Sequence, residues 1–320
     1  MRGMELSKDY YFQYGVPMIL EQYRDYEKRI AAGLVGEGSE CFGFDDEIST
    51  DHDFGPSFCL WLTDLDYLKI GKQLIASYDG LPKEYKGYIR NTSSRGAGRV
   101  GVHRIGEFYK RFTGMEVEPH NLKEWIFIPE ENLAAVTNGE VFRDDLGEFT
   151  KIRKALLNYY PEDIRIKKIG LRASAMAQSG QYNYSRCMRR GETVAARQSV
   201  DEFIRSSISM IYLLNKRYKP FYKWMHKGME KFTILSGAKE LIEELARLPI
   251  NNEVWARKGP LFWENKLNID DRIVVLIEMI CNMVVIELQE QCLTDIEETF
   301  LENHKYSILS RINDDYIREL

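Results

Sequence analysis

This chain is poor in the residues that build covalent or metal frameworks. Its 320 residues include five cysteines, Cys41, Cys59, Cys187, Cys281 and Cys292, and five histidines. The cysteines are odd in number, scattered and without a C-x-x-C pair. That excludes a disulfide scaffold and a zinc ribbon, and it suits reduced thiols in a cytoplasmic protein. Basic charge is also short, because 44 Lys and Arg against 49 Asp and Glu leave a formal net charge of −5. Binding of nucleic acid through bulk charge is therefore not expected. Long apolar runs are lacking too. The most apolar stretch, 273–288, is interrupted by Glu278, Asn282 and Glu287, which suits a buried bundle helix better than a membrane span. The opening MRGMELSKDYYF has no apolar signal-peptide core, and no repeat or low-complexity tract is visible.

What the chain does have is material for a core. With 44% hydrophobic and 12% aromatic residues it can fill one large domain or two ordinary ones. Its chemistry concentrates in residues 38–56, GSECFGFDDEISTDHDFGP. Gly38-Ser39 forms a small turn, and Asp51-His52-Asp53 follows after a short spacer. If Asp51 and Asp53 lie on a strand, their carboxylates share one face, because side chains on a strand repeat every second residue. Two such carboxylates suit Mg²⁺, which is usually held by one or two of them together with substrate phosphates. Backbone N–H groups near Gly38 and the Ser39 hydroxyl could meet phosphate oxygens. The competing interpretation is a solvated acidic loop, since Asp45, Asp46 and Glu47 stand nearby.

The Gly-Ser turn followed by Asp-x-Asp resembles the nucleotidyltransferase superfamily. More narrowly, the chain resembles the bacterial family known as DUF4037, on residues 43–47, Ser49 and 51–56, then GEVFRDDLG at 139–147, Tyr159-Tyr160-Pro161, and YKPFYKW at 218–224. The resemblance implies an α+β chain. A nucleotidyltransferase-like mixed sheet with flanking helices would span residues 1–148, and an all-α helical bundle would span 149–320, a layout similar to aminoglycoside nucleotidyltransferases. It further implies transfer of a nucleoside monophosphate from a nucleoside triphosphate, ATP by expectation, to a hydroxyl or amine of a small-molecule or protein acceptor. Asp51 and Asp53 would hold one or two Mg²⁺ ions. The superfamily offers two rivals: a protein-modifying adenylyltransferase of antitoxin type, and a catalytically silent nucleotide-binding or scaffolding protein.

Taken in order, residues 17–32 read as a helix, with Ile19, Tyr23, Tyr26 and Ile30 at helical spacing. Residues 67–78 read as another, with Leu68, Ile70, Leu74 and Ile75 turned inward. Arg90, Arg95 and Arg99 fall in a polar stretch that reads either as an ordinary loop or as one closing over a phosphate tail. A short strand is expected near 100–105, where the superfamily would carry a third carboxylate. His103 stands there instead, either a histidine satisfied by hydrogen bonds beside the strand or a candidate general base, and in any case a poor ligand for Mg²⁺. Asp144 and Asp145 read as turn residues rather than metal ligands.

Beyond residue 150 helical periodicity takes over. Residues 171–214 carry more polar groups than a buried helix should, and Arg186, Arg190 and Arg197 share one broad arc at helical spacing. One explanation is a solvated helix face; the other is that Arg186 and Arg190 meet phosphate through their guanidinium groups. Glu192 is a candidate base for an acceptor hydroxyl or amine. The resemblance makes Lys223 a candidate phosphate contact, against the alternative of a lysine lying along Trp224.

Overall fold

The computed structural model describes residues 1–50, 53–90, 96, 98–256 and 267–320. The chain divides into two compact units, Met1–Tyr159 and Tyr160–Leu320, and is of the expected α+β class.

The first unit is built on a mixed four-stranded sheet. Its strands are β1 (Ala31–Leu34), β2 (Cys59–Leu62), β5 (Gly101–Arg104) and β6 (Glu140–Arg143), in the order β5-β2-β1-β6. Strands β3 (Glu84–Tyr85) and β4 (Tyr88–Ile89) form a separate hairpin. Strand β1 runs antiparallel to β2 and β6, whereas β2 runs parallel to β5. All four β2 residues, CLWL, are buried, so the sheet is covered on both faces and the period of two sorts its packing. Leu60 and Leu62 pack with Ala32, Tyr10, Tyr11, Leu74 and Tyr78. On the other face Trp61 stacks on Phe149 at 3.9 Å between ring centroids and meets Phe108 edge-on. Phe149 lies on the helix Glu148–Leu157, which therefore belongs to this unit.

Two helices depart from the sequence expectation. The span 17–32 is a helix only over Val16–Gln22. It continues as a 3₁₀ turn at Arg24–Arg29, and its last residues enter β1. Three buried aliphatic residues flanking Gly33 pair better as a sheet strand than as a helical turn. The span 67–78 begins with a π turn at Tyr67–Gly71 before the helix Lys72–Asp79. The wider turn shifts the phase of the helix. Leu74 is accordingly buried as expected, but Leu68 faces solvent, 74% exposed.

The described residues of the second unit include helices and loops but no strand, with long helices at Glu162–Met176, Thr193–Leu214 and Arg272–Glu290. The last contains the apolar 273–288 run, and among the described residues no helix is long and apolar enough to cross a membrane. Between Glu162–Met176 and Ser185–Arg190 the chain takes π geometry at Ala177–Tyr184. Gly180 makes that segment packable, because a Cβ there would stand 2.3 Å from the ring of Phe203 and 2.9 Å from Ile277. Buried Asp271 fixes the far end of the core by accepting from Tyr184 Oη (2.7 Å), Trp255 Nε1 (2.6 Å) and Ile273 N (2.9 Å).

Candidate functional site

Asp51 lies outside the described residues. Asp53 is described, and it is not on a strand: its φ of 51° puts it in the left-handed region, and β2 begins only at Cys59. The alternation argument for two carboxylates on one strand face therefore does not hold for Asp53. A short polar side chain tolerates that backbone conformation better than most. The Asp53 carboxylate lies against Gly96, where a Cβ would stand 2.1 Å from Oδ1.

The Gly38-Ser39 turn and the Asp53 corner are brought together by Arg99. Its guanidinium donates to the Glu37 carbonyl (3.1 Å) and the Asp53 carbonyl (2.5 Å), and it pairs with Glu40 at 2.7 Å. Arg99 and Glu40 are 8% and 6% exposed, so the pair is desolvated and each charge depends on the other. Gly38 has φ 120°, and a Cβ on it would stand 2.1 Å from Arg99 Nη1. The close approach that glycine permits here is thus made by Arg99 and Glu40. Ser39 opens the short helix Ser39–Phe42 and is half-buried.

Arg90 has a similar part. It donates to the Pro56 carbonyl (2.9 Å) and to Tyr10 Oη (3.0 Å), with its guanidinium over the Tyr78 ring. Arg90 and Arg99 are therefore clamps of the corner rather than loose cations of a closing loop, and Arg95 lies outside the described residues. Together with Asp53, Ser57 and Gly96 they line a cavity of about 10 Å³, room for one water-sized body.

Of the carboxylate pair expected to hold Mg²⁺, Asp53 is the one that lies among the described residues. Among the described residues no three His, Cys, Asp or Glu side chains gather as a metal site. One or two carboxylates completed by substrate phosphates is the usual way this ion is held, so the donor chemistry suits a metal that arrives with phosphates.

The acids around the corner have other work. Asp45 accepts from Gly3 N (2.7 Å). Asp46 Oδ1 accepts from the backbone N–H groups of Ile48 and Ser49, both at 3.1 Å. Asp144 accepts from Gly147 N (3.0 Å) and Thr150 N (2.7 Å) at the start of the following helix, as turn chemistry predicts.

Strand β5 lies where the third acid was expected, parallel to β2, with His103 in register with Trp61. Its four residues, Gly101 to Arg104, contain no carboxylate. The His103 ring packs near Phe108, and Nε2 is buried without a hydrogen-bond partner among the described residues. Burial, with a smaller push from Arg111, lowers its pKa to about 4. Such an imidazole is unprotonated near pH 7 but only weakly basic, and with Nε2 buried it is poorly placed to take a proton from an acceptor.

The second-unit candidates separate. Glu192 is exposed at the start of Thr193–Leu214, and Arg190 is exposed at the end of Ser185–Arg190. Arg197 donates to the Leu248 carbonyl (2.6 Å), which makes it structural. Lys223 lies over the Trp224 ring at 4.6 Å, the packing alternative read from the sequence. Arg186 covers the Tyr182 ring at 4.6 Å and donates to its hydroxyl. Two residues that sequence reasoning passed over matter here. Glu40 gave no local sign, its partner Arg99 being distant in sequence, and Glu278 had been read only as an interruption of an apolar run.

No curated protein and no solved structure matches the chain. One family model, described as Domain of unknown function (DUF4037), matches residues 125–225, a span that includes 139–147, 159–161 and 218–224 but not the 38–56 corner.

Proposed function

We propose that the first unit binds a nucleoside triphosphate together with Mg²⁺ and transfers the nucleoside monophosphate to an acceptor hydroxyl or amine. Asp51 and Asp53 would hold the ion, and the Gly38-Ser39 turn would face the phosphates. When bound, the metal neutralises charge on the transferring group and the leaving pyrophosphate. The chain's own contribution is to hold donors and cations in place before substrate arrives.

The observation that supports this most is the Arg99 clamp. It ties the two motif halves, Glu37 to Glu40 and Asp53, to one buried guanidinium. A solvated acidic loop would not need that link. The carboxylate-free β5 strand favours a second reading, a nucleotide-binding protein without transferase activity.

Calorimetric titration of ATP, with and without Mg²⁺, into the native chain and into Asp51→Asn and Asp53→Asn separates these readings. Mg²⁺-dependent binding that is lost in both variants, with pyrophosphate released when acceptors are supplied, is the expected result. Binding indifferent to both variants selects the silent reading. No binding of any nucleoside triphosphate removes both.

A further inference from the structure

The π segment Ala177–Tyr184 has a consequence for the second unit alone. π turns within helices recur at functional sites because the widened turn re-aims side chains. Gln181, Tyr182, Ser185 and Arg186 follow one another along one helix face and, with Glu278 and Phe300, line a cleft of about 490 Å³. That volume lies within the rough 300–1,000 Å³ of small-molecule clefts.

Gln181 ties its own helix to two neighbouring segments at this cleft. Its amide donates to Glu278 Oε2 (3.0 Å) and to the Thr299 carbonyl (2.9 Å), and it accepts from Leu301 N (2.9 Å). Glu278 sits on Arg272–Glu290, the most apolar helix of the chain, and burial raises its carboxyl pKa above the ordinary value. Among the described residues neither Glu278 nor Arg186 has a counter-ion. The partner of Glu278 is the neutral Gln181 amide, and that of Arg186 is the ring and hydroxyl of Tyr182. Both line one cleft without pairing with each other. The partly buried Glu278 carboxylate without a counter-ion is costly for folding, whereas the exposed Arg186 guanidinium is solvated; facing one space, the two offer opposite charges for recognition.

We propose that this cleft binds a small zwitterion, a molecule with one carboxylate or phosphate and one ammonium group. Arg186 meets the anionic end through its guanidinium fork, and Glu278 meets the ammonium. The rings of Tyr182 and Phe300 supply apolar wall. The inference uses second-unit residues only and is independent of the nucleotide reading.

The test is calorimetric titration of the full chain with the standard L-α-amino acids and phosphoethanolamine. Their N-acetyl derivatives and the corresponding amines without the acid group serve as single-charge controls. At least one zwitterion binds tighter than about 1 mM, and each of its single-charge derivatives binds at least about tenfold more weakly, the scale of a lost charged hydrogen bond. Arg186→Gln and Glu278→Gln each weaken binding to the same degree while circular dichroism and the thermal midpoint stay unchanged. Should Glu278→Gln unfold, the exposed Arg186→Gln decides alone. Preference for phosphoethanolamine over the amino acids assigns the anionic end as phosphate, and the reverse assigns it as carboxylate. The proposal is overturned if no zwitterion binds within that range, if Arg186→Gln leaves binding unchanged, or if a single-charge derivative binds equally well.

Discussion

The corner around Asp53 and the cleft on the π segment use arginine in opposite ways. At the corner Arg99 is buried, paired with Glu40 and bonded to two carbonyls. In the cleft Arg186 is exposed and leans on an aromatic ring. Both occur in polar stretches with other arginines nearby, so sequence alone treats them alike. The lesson is that a buried arginine bonded to its own chain and paired with a carboxylate holds a site together, whereas one without a counter-ion is available to a ligand.

The largest effect expected from this contrast is on stability. Arg99→Met strands the buried Glu40 carboxylate and should lower the unfolding free energy by about 3–5 kcal/mol in urea titrations. Arg186→Met should change it by no more than about 0.5 kcal/mol. Equal losses would erase the distinction. Combining Glu40→Gln with Arg99→Met should recover much of the deficit, because the isolated charge is gone.

A second test concerns the enclosed imidazole. Above about pH 6.5 His103 is neutral in both folded and unfolded chains. As the pH falls from about 6.5 to about 4, the unfolded chain takes up a proton that the folded chain refuses. Stability should therefore decline across that window by on the order of 2–3 kcal/mol and level off below it. His103→Gln should flatten this part of the pH profile, and an unchanged slope would show that other groups produce it.

A third test concerns Gly38. Gly38→Ala adds a side chain at φ 120° against the Arg99 guanidinium and should cost about 1–3 kcal/mol. A loss confined to nucleotide binding, with stability intact, would instead mean that the turn's glycine serves the phosphates.

Much of the fold was legible because burial leaves a period. The apolar run Phe58 to Leu62 reads as the end of a strand that would also carry Asp51 and Asp53, and only Cys59–Leu62 of it is β2; a strand near 100–105 was expected and is β5, and the helical second half needed only its periodicity. The turn chemistry of Asp144 was equally local. What stayed hidden was non-local or phase-dependent. Glu40 and Arg99 are brought together only by the tertiary fold, so neither announces its partner. The π turn at Tyr67–Gly71 put Leu68 in solvent although its spacing placed it inside. At the candidate site the Gly-Ser and Asp-x-Asp pieces were visible, but their geometry was not, since Asp53 adopts a left-handed conformation that no spacing rule predicts.

The π segment Ala177–Tyr184 also bears on how this chain can change by insertion and deletion. A π turn is an α-helix carrying a surplus residue, so deleting one residue within it should restore ordinary winding rather than break the helix. Everything downstream to Arg190 would then rotate by about 100°, one residue's share of a turn. Tyr184 would leave Asp271, and Arg186 would leave the cleft. In length-varying relatives, the presence of that surplus residue should track the cleft, whatever happens to the overall helical content.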